Sequence, residues 1–297
     1  MTEAGWIILV QLAVTKAVPL LLAGMGGLLS ERSGVINICL EGMMLAGAFG
    51  SISGAMATGS PWLGLLMGGV SGAALGIVQA LSVVRYRTDA IISGTAVNLL
   101  AIGGTQVLLV SWFGSHGSTV SVTKLPLLGV GSVAFHPTTY LAFLTVLVIS
   151  ILIHRTTWGL RLRAAGEQPH TLVSVGVSVQ AIRYGAVIAS GFLAGVAGSH
   201  LALADLSQFV ERMSAGRGFI ALAALILGKW SPRGVLLACL FFGSAEALAD
   251  GFQGTSSRIP PQLFLAMPFV LTMVVLAGFV GKSRPPAALG SRLNEEI

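Results

Sequence analysis

The chain has 297 residues, 54% of them hydrophobic and only 9% charged, with a mean hydropathy of +0.87, a composition that excludes an ordinary soluble globular domain. The net charge of +6 is carried by basic residues scattered through short connectors, without the stripe that nucleic-acid binding needs, so it reads as a topology signal and no nucleic-acid partner is expected. Apolar stretches of about 20 residues, the length of one membrane span, recur along nearly the whole sequence. Residues 1–297 are therefore expected to form a single integral membrane domain, an all-α polytopic helix bundle.

In chain order the spans are predicted at residues 6–29, 34–58, 62–84, 90–113, 137–153, 182–204, 234–249 and 261–281. The amino terminus, MTEAGWIILV, carries an acid and runs into a span longer than a signal-peptide core, so it is read as retained. A further segment, GFIALAALILG at 218–228, is too short to cross alone unless it tilts, borrows residues upstream or belongs to a broken helix. Counting it gives about nine spans, within a range of 8 to 10.

Nine crossings put the termini on opposite faces. With the carboxyl terminus inside, the inner connectors hold Arg32, Arg85, Arg87, Arg155, Arg161, Arg163, Arg183, Lys229, Arg233, Lys282, Arg284 and Arg292, and the outer ones Lys124, Arg212, Arg217 and Arg258. The excess of Lys and Arg on one face predicts an outside amino terminus and a cytoplasmic tail at 282–297. Lys16 falls inside the first span, at an interface or snorkelling. The outer loop 114–136 alternates small, polar and apolar residues and is a candidate to lie against the mouth of a pathway. The inner loop 154–183 is the longest polar stretch on its face. A short helix is expected in it, with Pro169 at the first helical position, Glu167 or Gln168 facing the exposed amides there, and Gly176 as the stop.

Glycines spaced by four, Gly64, Gly68, Gly72 and Gly76 in the third span and Gly191 and Gly195 in the sixth, predict closely approaching helices. Cys39 and Cys239 fall in apolar runs and read as small hydrophobes, and the five histidines lack metal-ligand spacing. The triplet Gly281-Lys282-Ser283 has Leu276 where a phosphate loop needs its first glycine, so the chain is not expected to hydrolyse ATP and needs no cofactor of its own. Ser121-Val-Thr-Lys124 matches a serine-acylase pattern by letters only. What remains is a sparse set of in-membrane polar groups. Asn37 and Glu41 are one helical turn apart and predicted to share a face, and Thr95 and Asn98, three apart, can face together. These four are the pathway-lining candidates, each weighed against a plain interhelical hydrogen bond. Gln79, Gln106, Glu246 and Asp250 complete the set, and the surplus of amides suits a neutral polyhydroxyl or heterocyclic cargo.

The run Glu31-Arg32-Ser-Gly-Val-Ile-Asn37-Ile-Cys-Leu-Glu41-Gly42-Met resembles the permease subunits of bacterial ATP-binding-cassette importers, in the nucleoside and simple-sugar branch of the branched-chain amino acid and ribose permeases, with Cys39 where glycine is common. Two more blocks agree in order: Trp158-Gly-Leu-Arg-Leu-Arg163-Ala-Ala-Gly166-Glu167 leading to Ser190-Gly-Phe-Leu-Ala-Gly195, and Gly216-Arg217-Gly218-Phe219 through Ala223 with Gly228-Lys229-Trp230. The resemblance implies a BtuC-like type II importer fold with a possible inverted repeat, in the bacterial inner membrane. It implies that Gly166, Glu167, Gln168, Pro169 and His170 couple to a separate ATPase subunit, with the coupling helix at about 166–176. It also implies ATP and Mg on that partner, a paralogous second permease in a heterodimer, and an extracytoplasmic binding lipoprotein that delivers a small-molecule cargo, nucleosides first. A simple-sugar or branched-chain amino acid permease is the alternative. An ion-coupled carrier is disfavoured by the missing acid relay, and an intramembrane enzyme by the missing catalytic constellation.

Overall fold

The computed structural model describes residues 3–130, 133–253, 270 and 284–290. Among these residues the chain forms α1 (Glu3–Arg32), α2 (Leu40–Thr58), α3 (Pro61–Ala80), α4 (Ala90–Phe113), α5 (Pro137–Arg155), α6 (Thr157–Glu167), α7 (Pro169–Ser174), α8 (Val179–Ser199), α9 (Arg217–Leu227) and α10 (Pro232–Gln253). The π-helical turns Leu81–Arg85 and His200–Leu206 continue α3 and α8. With those continuations, α1, α3, α4, α5, α8 and α10 are long and apolar enough to cross a membrane. The predicted span at 261–281 lies, apart from Val270, outside the described residues. A short antiparallel hairpin, β1 (Leu128–Val130) and β2 (Val133–Phe135), interrupts the helical pattern within loop 114–136.

The second predicted span differs most from expectation, and the short segment at 218–228 takes one of the forms expected of it. The predicted second span began at Gly34, but α2 starts only at Leu40. The reason is a tight stop on α1: Gly34 takes a left-handed φ of 96°, Gly34 N bonds Glu31 O at 3.0 Å and Val35 N bonds Ser30 O at 3.2 Å. This is the Schellman pattern, which turns the chain sharply. Residues 33–39 then run as irregular backbone inside the protein. The 11 residues of α9 rise only about 16 Å, roughly half of the hydrocarbon thickness. The segment before it is not helical and passes through positive φ at Arg212, Ala215 and Gly216. Of the three ways open to a short segment, α9 takes the broken helix. Met213 and Ser214 turn inward here while Arg212 and Ala215 are exposed, and irregular backbone within a membrane protein is tolerated where it is buried in protein or lines a water-filled cavity.

The predicted connectors sort to two ends. Arg32 bonds Trp230 O, Arg183 bonds Ser33 O, Arg87 and Arg183 border one crevice, and Arg155 and Arg233 another. These residues form an Arg-rich end. At the opposite end, loop 114–136 clasps the far end of α8. Thr119 N bonds Phe209 O at 3.0 Å, Val122 N bonds Ser207 O at 2.8 Å and Leu125 N bonds Leu203 O at 3.1 Å. Gln11 in α1 donates to Ala134 O at 2.7 Å. Phe49 stacks against Trp112, Phe113 and Phe209 there. Because α8 starts at the Arg-rich end and Trp230 returns to it, residues 207–227 together carry the chain back across.

The glycine ridges do what their spacing predicts. A Cβ on Gly72 would collide with Gly191 O, one on Gly191 with Gly72 O, one on Gly195 with Gly68 O and one on Gly47 with Gly195 O. Helices α2, α3 and α8 thus meet backbone to backbone, which supplies dispersion contact where lipid gives no hydrophobic drive. Replacing Gly72 by Ala is expected to destabilise the bundle by about 1–3 kcal/mol through overpacking. Gly103→Ala, where a Cβ meets nothing within 4 Å among the described residues, should leave the thermal midpoint of the detergent-purified protein unchanged.

Candidate functional site

Two constructions occupy the bundle: a mid-depth junction between the breaks, and a platform at the Arg-rich end. At the junction the Glu41 carboxylate reaches the first turn of α9. Gly216 N donates to its Oε1 at 2.8 Å and Gly218 N to its Oε2 at 2.7 Å. An anionic group here satisfies amides that a helix start leaves bare and sits at the positive end of its dipole. Asn98 of α4 does the corresponding work on α2, accepting from Gly42 N at 2.8 Å and donating to Ile38 O at 3.1 Å. Asn37, in the irregular segment, donates to Ser190 Oγ of α8 at 2.8 Å and accepts from Cys39 Sγ at 2.8 Å.

These positions correct two sequence expectations. Asn37 lies before α2 and Glu41 in its first turn, so they do not share a helical face. Thr95 and Asn98 do not face together either: Asn98 is buried, whereas Thr95 lies on the exposed side of α4, its hydroxyl bonded back to Ile91 O. Three of the four pathway candidates, Asn37, Glu41 and Asn98, are gathered around the breaks, with their polar atoms engaged by protein groups. Thr95 stands apart.

The platform is built from all three sequence blocks. Buried Glu31 accepts from Trp230 Nε1 at 2.5 Å, and Arg32 Nε donates to Trp230 O at 2.9 Å. Trp230 is held by a second Schellman turn, with Lys229 at φ 52°, Lys229 N on Ile226 O and Trp230 N on Leu225 O. Arg183 Nε, buried, donates to Ser33 O at 3.1 Å. Gly166 is packed so closely on Arg32 that a Cβ would strike Arg32 O. Residues 284–290 close the arrangement: Ala288 N bonds Gly166 O at 2.8 Å and Gly290 N bonds Gly34 O at 3.0 Å.

The expected single helix at 166–176 is two elements. Gly166 and Glu167 end α6, Gln168 breaks the chain at φ −146°, ψ 75°, and Pro169 is the first residue of α7. Glu167 does not face the α7 amides but lies 3.8 Å from Arg32 Nη1 and accepts from Ala287 N at 3.2 Å. Gln168 makes no backbone cap; its Oε1 accepts from Thr171 Oγ1 at 3.4 Å. Gly176 stops α7 at φ 75°, as its type predicts, with Gly176 N on Val173 O and Val177 N on Leu172 O. Pro169 and Leu172 anchor α7 inward, while His170, Thr171, Val173 and Val175 face outward. The short helix therefore projects a mixed polar and apolar surface from a firm seat.

One further constellation was not assembled from sequence. Lys16 Nζ lies 2.8 Å from Asp250 Oδ2 and 3.7 Å from Glu246 Oε1, and Arg217 Nη2 lies 2.5 Å from the same Glu246 oxygen. The sequence reading put Arg217 in an outer connector, but it heads the half-helix α9. The i, i+4 spacing of Glu246 and Asp250 on one helix, with a lone in-membrane lysine to neutralise, was the available signal.

A family profile described as branched-chain amino acid transport system / permease component matches residues 9–276. The chain belongs to this permease family. It is 36% identical to the guanosine ABC transporter permease protein NupQ of Bacillus subtilis and 37% identical to the nucleoside ABC transporter permease protein NupC of Lactococcus lactis, each alignment covering 95% of both chains. It is also 37% identical to the putative glucose ABC transporter permease protein TsgC13 of Haloferax volcanii, over 87% of this chain and 82% of that one. The permease is thus a multi-pass membrane protein of the ATP-binding-cassette transporters, whose relatives are transport subunits and not enzymes.

The platform makes a specific demand of the permease. Trp230→Phe leaves the buried Glu31 carboxylate without its indole donor and is expected to cost about 1–3 kcal/mol. Thermal midpoints of the purified permease should fall for Trp230→Phe and Glu31→Gln alone, with the double variant well short of the sum. Strict additivity would show the two groups to be independent.

Proposed function

We propose that this permease is the translocation subunit of an ATP-driven importer of nucleosides. The observation that carries the reading is the end-to-end similarity, 36% and 37% identity over 95% of the chain, to permeases described as acting on guanosine and on nucleosides. The Arg-rich end faces the cytoplasm by the positive-inside rule. The amino terminus then lies outside and the carboxyl terminus inside, with nine crossings once 261–281 is counted, in a bacterial inner membrane.

The fold supports a type II importer of BtuC-like design. Both halves begin with a long helix, α1 or α8 with its π turn, pass through irregular backbone, and resume in a shorter helix, α2 or α9. The two long helices start from opposite ends, as an inverted repeat requires. Glu167, Gln168, Pro169 and His170 with α7 form the dock for a separate ATPase subunit that carries ATP and Mg, and Gly166 passes its movement to Arg32 and the end of α1. A second, paralogous permease completes the pathway as a heterodimer, and an external binding lipoprotein delivers cargo. Asn37, Glu41 and Asn98 act in passage by holding the broken helices in register, and Thr95, on the exposed side of α4, takes no part in this. ATP binding moves the bundle only to the extent that the ATPase binds its inward and outward forms unequally.

A second reading, a simple-sugar permease of the same architecture, is favoured by the similarity to the glucose permease protein. Uptake of labelled guanosine by cells carrying the full importer separates the two. Competition by unlabelled purine nucleosides, with ribose and glucose without effect, is the expected result; the reverse order of competition would install the sugar reading. In the reconstituted complex, Pro169→Ala and Glu167→Ala are expected to lower cargo-stimulated ATP hydrolysis several-fold while the bundle stays folded. Unchanged stimulation in both would remove α7 as the dock.

A further inference from the structure

Four charged side chains from α1, α9 and α10, namely Lys16, Arg217, Glu246 and Asp250, meet in one cluster, and Lys16 and Glu246 fall inside predicted spans. Lys16 is ten residues from Trp6 and thirteen from Leu29, about 15 and 20 Å along α1. Arg217 stands at the start of an 11-residue helix, about 16 Å above the Arg-rich end. Glu246 is fourteen residues into α10 from Pro232, about 21 Å. Yet none is sealed inside the protein. Their side chains are 23% exposed at Lys16, 20% at Arg217, 18% at Glu246 and 37% at Asp250. Lipid tails cannot solvate such groups, and charged side chains at this depth face a bundle interior or a water-filled cavity.

The pairing is incomplete in a manner that suits a wet lumen. The ion pairs engage Oε1 of Glu246 and Oδ2 of Asp250, leaving Oε2 and Oδ1 outside them. A dry contact would strand this capacity at the cost of unmade bonds. With two cations and two carboxylates the cluster is formally neutral, so it draws neither anions nor cations preferentially. It offers acceptors to hydroxyls and donors to ring nitrogens and carbonyls on one surface.

We propose that Lys16, Arg217, Glu246 and Asp250 line the aqueous cargo pathway and form a transient subsite for a neutral hydroxylated heterocycle. The carboxylates accept from vicinal hydroxyls while Lys16 and Arg217 donate to the ring. The choice of cargo class rests on the nucleoside reading above; the placement of the pathway rests on the depth and exposure of the charges. The cluster also spans the head of α9, whose first amides Glu41 holds, so cargo that reorganises Arg217 acts on the broken helix itself.

The complete importer tests this with a membrane-impermeant thiol reagent. The native thiols Cys39 and Cys239 are both 0% exposed, which keeps the background silent. Leu12→Cys, one turn before Lys16 on the same face of α1, leaves all four charges in place, and Asp250→Cys probes the cluster directly. Labelling of Leu12→Cys in assembled, transport-active complex, slowed several-fold by guanosine, is the expected result; Leu99→Cys, on the exposed side of α4, should stay unlabelled. Failure of Leu12→Cys to label in such a complex would overturn the pathway placement and leave the nucleoside reading standing. Labelling slowed by glucose but not by guanosine would keep the pathway and overturn the cargo. Arg217→Gln is expected to raise the guanosine concentration for half-maximal uptake about tenfold, as loss of a charged hydrogen bond does; an unchanged value would take Arg217 out of the subsite.

Discussion

Backbone that leaves a helix inside a membrane must find partners in the protein, because the hydrocarbon offers none. Two stretches of this permease, 33–39 and 207–216, depart from helical geometry, and the architecture is arranged around supplying them. The carboxylate of Glu41 reaches across to two amides at the head of α9, and Asn98 serves the head of α2. In each half of the chain the head of a helix is therefore secured by a side chain drawn from another helix. The glycine contacts among α2, α3 and α8 bring those helices near enough for such short reaches. A packed core of this kind switches between discrete arrangements more readily than it bends.

At the Arg-rich end the same economy of contact recurs. Arg32, Glu31, Trp230, Arg183 and Gly166 come from α1, the end of α9, α8 and α6, yet they lie within one set of hydrogen bonds. Contacts run from α7 through the adjoining α6 to α1 by way of Gly166 and Arg32, and from Arg32 to Trp230 beyond the end of α9. The head of α9 is tied in turn to Glu41 and to the charged cluster beside it. A physical route thus exists from the projecting short helix to the mid-depth junction, made of packed backbone and short bonds.

Much of this was legible in the amino-acid order. Apolar runs located the spans because twenty apolar residues have few other uses, Pro169 and Gly176 bracketed the short helix because their backbone preferences are so narrow, and glycines at spacings of four marked the close helix pairs. What escaped was long-range. Gly34 was a local signal for a stop, but nothing local announced that the irregular backbone would continue to Cys39 and delay α2 to Leu40, which moved Asn37 off the face of Glu41. Periodicity gave Thr95 and Asn98 neighbouring positions but not which side of α4 is covered. Glu31 and Trp230 stood in separate sequence blocks, about two hundred positions apart, and their meeting is a property of tertiary packing alone. Lys16 was assigned to an interface or to snorkelling, without its partners, because the acids it pairs with lie on α10, in a part of the chain that only folding brings near.

The strap formed by residues 284–290 has a consequence for biogenesis. Gly166 and Gly34 leave the ribosome long before Ala288 and Gly290, the residues that bond to their carbonyls. Until translation finishes, the surface around α6 and the end of α1 lacks its last backbone bonds. A copy lacking residues 284–290 would leave the carbonyls of Gly166 and Gly34 without these backbone partners, so the end of α1 and the end of α6 would lose the tie that holds them to one segment.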